Sequence, residues 1–74
     1  MITQDEAIKV AKKAIKGIIK PQKNAPIEVK LKNGQYIVVF VSVWPPGTLG
    51  PDFAAKVTLD ASSGQVLEIL GGAD

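Results

Sequence analysis

The sequence predicts an α+β domain: one N-terminal helix packed on a four-stranded antiparallel meander sheet. Three observations carry this. The chain opens with a capped stretch whose apolar residues recur at helical spacing. Two segments of β character follow, joined by Asn33-Gly34. A second pair of β segments then closes around Ala61-Ser62-Ser63-Gly64. With 74 residues, one domain is expected. A chain this short buries only roughly 60% of its unfolded surface, so the core must be well patterned. Cysteine is absent, so no disulfide or thiolate-bound metal supplements that core.

The helix start is written out in Ile2-Thr3-Gln4-Asp5-Glu6. Thr3 caps the first turn, and Glu6, three residues on, can return a bond to the Thr3 backbone N–H. Ile2 is placed to staple onto Ala7. Asp5 and Glu6 favour the positive end of the helix dipole, and Lys20 the negative end. At 100° per residue, Ala7, Ile8, Val10, Ala11, Ala14, Ile15, Ile18 and Ile19 fill one half of the wheel. Lys9, Lys12, Lys13, Lys16 and Lys20 fill the other. The pattern carries the helix to Lys20, where Pro21 stops it. Residues 21–26 turn the chain back.

Ile27-Glu28-Val29-Lys30-Leu31-Lys32 alternates strictly and reads as a half-buried strand. Asn33-Gly34 is the preferred pair for a tight hairpin turn, because both positions need positive φ. The return strand runs from Tyr36 to Trp44 and is rich in β-branched and aromatic residues. A two-residue turn pairs Leu31 with Tyr36, Val29 with Val38 and Ile27 with Phe40, and this shared face takes the helix. By the same alternation Trp44 extends the core beside Phe40. The segment Trp44–Phe53 is a loop rich in proline and glycine, with Phe53 tucking back at the sheet edge. Ala54–Asp60 forms a third strand and Val66–Leu70 a fourth. Gly64 takes the left-handed position between them, and Asp60 caps the turn's N–H groups.

At this point the residues resemble the PepSY domain family. Ile2-Thr3-Gln4-Asp5-Glu6-Ala7-Ile8-Lys9-Val10-Ala11 is similar to that family's capped opening helix. Gly34-Gln35-Tyr36-Ile37-Val38 is similar to its "G-x-Y-V-V" strand. Ala55 to Ile69, with Val57-Thr58-Leu59-Asp60 and Gly64-Gln65-Val66-Leu67, is similar to its closing hairpin. The resemblance spans most of the chain and implies a single PepSY-like domain over residues 1–74. It further implies a non-catalytic binding or regulatory module, often extracytoplasmic, that associates with or inhibits a peptidase. The topology also resembles that of cystatins. The hairpins Lys32-Asn33-Gly34-Gln35 and Ala61-Ser62-Ser63-Gly64 match neither inhibitory hairpin of that family, and Trp44-Pro45 reverses its dipeptide. No cystatin activity is therefore inferred.

The residues themselves point away from catalysis. There is no histidine to act as a base near neutral pH or as a metal ligand, and no cysteine nucleophile. Ser42, Ser62 and Ser63 have no imidazole to activate them. Glu28, Asp52, Asp60 and Glu68 are scattered, without the spacing of a calcium loop. Gly47-Thr48-Leu49-Gly50 lacks the lysine and following helix of a phosphate loop. No enzyme, cofactor or metal site is expected.

Function is then left to outer surfaces. The lysine face lacks arginine and interleaved aromatics, which disfavours nucleic acid and reads as the solvated side of the helix. No apolar run approaches the ~20 residues that cross a bilayer, so no membrane insertion is expected. No charged N-terminal segment followed by an apolar stretch marks a signal peptide. The far side of the sheet carries Ile37, Val39, Val41 and Val43 beside Glu28 and Lys30. The loop tip adds Pro46 and Leu49. These six apolar residues are the candidate protein contacts. The partner is either another protein, a peptidase by family resemblance, or a second copy in a homodimer formed through the sheet.

Overall fold

The computed structural model describes residues 1–20, 26–48, 50 and 53–71. Helix α1 spans Gln4–Ile15 and is followed by β1 Ile27–Lys32, β2 Gln35–Val41, β3 Phe53–Asp60 and β4 Val66–Gly71. The four strands form one antiparallel sheet in the order β1-β2-β3-β4. The α+β fold class and the meander are as the sequence predicts.

The capping box at the start of α1 is formed. Thr3 Oγ1 accepts from the Glu6 N–H at 3.1 Å, and Glu6 Oε1 accepts from the Thr3 N–H at 3.1 Å. Ala7, Ala11 and Ile15 lie one turn apart and bury completely or nearly so. They pack on the face built by Tyr36, Val38 and Phe40 of β2 and Ala55, Val57 and Leu59 of β3. Burial on this scale contributes about 1.5–3 kcal/mol for each large apolar side chain.

The helix ends earlier than expected. Gly17, not Pro21, stops it. Lys16 leaves helical angles at φ −62° and ψ 124°, and Gly17 follows at φ +81°. With the Ile18 N–H donating to the Ile15 carbonyl at 3.0 Å, residues 15–18 form a type II turn, whose third position requires positive φ. This turn splits the expected apolar stripe. Ile19 lies close to the end of β4, its Cδ1 3.8 Å from where a Gly71 Cβ would stand. Ile18 points outward and is 70% exposed, against the expectation that it joins the core.

The β1–β2 hairpin has the expected register, Ile27 to Phe40, Val29 to Val38 and Leu31 to Tyr36. Asn33 at φ +51° and Gly34 at φ +75° provide the two-residue turn. Helix α1 lies over β2, β3 and β4, so Leu31 on the edge strand stays half exposed although it shares their face.

Strand β2 also stops short. A register shift between Phe40 and Val41 ends the ladder at Val41, three residues before Trp44. Trp44 therefore does not continue the core face and is 40% exposed. It packs instead on Gly50, where a Cβ would meet the indole Cζ2 and Nε1 at 2.7 Å. Between them, the Thr48 N–H donates to the Pro45 carbonyl at 3.0 Å with Gly47 at φ +82°, a second type II turn with Pro46 in its preferred position. The β3–β4 turn is held by Asp60, whose Oδ1 accepts from the Ser62 N–H at 2.8 Å. The Gly64 N–H reaches the Asp60 carbonyl at 2.7 Å, with Gly64 at φ +78°.

One end of the sheet is tied together by backbone. The Ile2 N–H donates to the Ala61 carbonyl at 2.8 Å, and the Ala61 N–H donates to the Gly34 carbonyl at 2.9 Å. The Tyr36 hydroxyl donates to the Ile2 carbonyl at 3.0 Å. The helix entry and both hairpin turns are thus fastened at one point.

Candidate protein-contact surface

Alternation along each strand sends every second side chain away from the helix. On β2 these are Gln35, Ile37, Val39 and Val41, while Tyr36, Val38 and Phe40 are buried. The pairing continues the rows across the sheet. Lys30, Ile37, Thr58 and Glu68 stand in one row, and Glu28, Val39, Lys56 and Leu70 in the next. A third row pairs Val41 with Phe53. Among the described residues no element packs on this face. Ile37, Val39 and Val41 are half-buried, and Leu70 is 43% exposed.

The polar groups here are specific. Lys56 holds its Nζ 5.3 Å from the centre of the Phe53 ring, a cation–π contact that keeps the ring on the sheet surface. Lysine stems at Lys30 and Lys56 flank the valines, with Glu28 and Glu68 at the two edges. The result is an apolar strip along β2, with charges of both signs around it.

Of the six residues singled out by sequence, Ile37, Val39 and Val41 come together on this face. Val43 does not: β2 has ended, and Val43 stands beyond the register shift at 58% exposure. Pro46 is exposed in the loop turn, away from the strands. Leu49 lies outside the described residues. Phe53, Lys56 and Leu70 belong to the face but were not singled out. Carrying the β2 register through β3 and β4 finds them, since Val41 faces Phe53 and Val39 faces Lys56 and then Leu70.

Two other surfaces are less organised. Lys9, Lys12, Lys13, Lys16 and Lys20 are all exposed on the outer side of the helix and the turn after it. A hollow of about 470 Å³ beside the helix end is lined by Lys12, Ile15, Lys16, Gly17, Ile18, Ile19 and Lys20. The described lining residues come from one continuous segment. A ligand site normally draws convergent polar groups from several elements. Among the described residues no three acidic, histidine or cysteine side chains gather where a metal could bind. Among the described residues no helix is long and apolar enough to cross a membrane.

No family model matches the chain, and no curated protein or solved structure shows significant similarity to it.

Proposed function

We propose that this chain is a non-catalytic protein-binding module of the PepSY kind, and that the open face of its sheet is the contact surface. The observation that carries this reading is the apolar strip Ile37–Val39–Val41, extended by Phe53 and Leu70, on a face that no described element covers. A domain this small gains from covering such a strip, at about 25 cal/mol per Å² of apolar area removed from water. The capped opening Ile2–Ala11, the strand Gly34–Val38 and the closing hairpin Ala55–Ile69 are the stretches through which the chain resembles PepSY domains. Through them a peptidase is the proposed partner class.

The test is titration of the domain into a panel of metallopeptidases, reading inhibition and complex formation, with Val39→Asp in parallel. The expected outcome is saturable binding to at least one enzyme, weakened at least about tenfold by a charge at the centre of the strip. No binding anywhere on the panel removes the peptidase role. Binding untouched by Val39→Asp removes the sheet face as the contact surface.

A further inference from the structure

We propose that a second copy of this chain covers the open sheet face, related by a two-fold axis that runs parallel to the strands between β2 and β3. The inference rests on the reading of that face as the contact surface and names one occupant for it. An isologous contact requires a patch complementary to itself. About this axis each row folds onto itself, so β1 meets β4 of the second copy and β2 meets its β3.

The row pairings make the face self-complementary. Lys30 comes opposite Glu68 of the second copy, and by symmetry Glu68 opposite its Lys30. Sheets stack about 10 Å apart, a gap that a lysine and a glutamate bridge from opposite sides. In the third row Val41 comes opposite Phe53, apolar on apolar and again twice. Val39 lies over the stem of Lys56, whose ammonium is already drawn toward Phe53. Ile37 over Thr58 and Glu28 over Leu70 are the mismatched pairs, and the second stands at the edge, where water reaches. An axis across the strands, centred between the two main rows, pairs Lys30 with Glu28 and Ile37 with Val39, but it sets Leu70 against Glu68, Val41 against Gln35 and Phe53 against Asp60, so the apolar Val41–Phe53 row is lost.

Size sets the strength. Four strands at about 4.8 Å spacing and six residues at about 3.3 Å rise give roughly 400 Å² of projected sheet per copy. Doubled, this stays below the ~1,200 Å² of standard interfaces, so the dimer belongs to the weak, transient class.

Sedimentation equilibrium from about 10 μM to about 1 mM tests the inference over the range such contacts occupy. The wild type is expected to pass from monomer to dimer. Lys30→Glu and Glu68→Lys each place like charges opposite one another twice and are expected to weaken the dimer about tenfold or more. The double variant restores the pair with the signs exchanged and is expected to recover to within about threefold of wild type. Circular dichroism melts of all four proteins check that each stays folded, as substitutions on a solvent face should. A wild type monomeric throughout, or a double variant as weak as the singles, overturns the proposal. If the wild type is monomeric while Val39→Asp still abolishes peptidase binding, the dimer falls and the docking reading stands. A dimer with the expected charge-reversal pattern and no peptidase binding leaves the opposite result.

Discussion

Gly50 shows how one missing side chain decides where a large one goes. The Trp44 indole occupies the space a Cβ at Gly50 would take. Trp44 is the only tryptophan, so the protein's indole emission reports the surroundings of this ring. Gly50→Ala is expected to displace the ring and shift its emission to the red. Because the indole is already 40% exposed, the loss of stability should stay below about 1 kcal/mol, less than overpacking costs in a closed core. An unshifted spectrum would mean that the ring does not rest on Gly50. At the other end of the loop Phe53 lies under a lysine, on the face away from the helix. The two aromatics that bracket the loop thus serve different surfaces.

At the scale of the element, the helix end separates neighbours that look equivalent in sequence. Ile15 is 2% exposed and Ile18 70%, although both fall on the apolar half of the helical wheel. Ile15→Ala is expected to cost about 2–5 kcal/mol, the range for emptying a core site. Ile18→Glu is expected to change stability by no more than about 0.5 kcal/mol. Thermal or denaturant melts of the two variants measure the contrast, and equal losses would place Ile18 back on the core. The signal for this break was present in the sequence: Gly17 after Lys16 is the usual pairing of a helix's last residues with a left-handed stop. Periodicity overran it because Ile18 and Ile19 keep helical spacing after the turn.

The same contrast governs the strands. The Leu31–Tyr36 and Val29–Val38 pairs were legible because a two-residue turn leaves one register. The end of β2 was not. Val43 and Trp44 have full β propensity, and only the register shift at Val41, a property of the pairing with β3, takes them out of the sheet. The open face of the sheet was accordingly legible as far as Ile37, Val39 and Val41. Its contributions from β3 and β4 depend on cross-strand register and so lay beyond any single segment.

For the molecule as a whole, hydrogen bonds tie the two turns and the N-terminus together at one end of the sheet. Tyr36→Phe keeps the buried ring and removes only the hydroxyl's bond to the Ile2 carbonyl. It is expected to cost about 1 kcal/mol, the usual net worth of one such bond. Hydrogen exchange at the Ile2 amide, which donates to Ala61, should speed up with it, since the bond holds that residue in place. Unchanged exchange would show that the hydroxyl does not hold the chain end.

The meander has a kinetic consequence. Every ladder in the sheet closes between strands that are neighbours along the chain. Such local pairings form early, at small entropic expense. The hydrogen bond from Ile2 to Ala61 joins nearly opposite ends of the polypeptide. Closing so long a loop costs about 2 kcal/mol more than closing a hairpin. The strand pairings are therefore expected to precede the docking of the N-terminal segment, which leaves the greasy side of the ribbon open to water until the helix arrives.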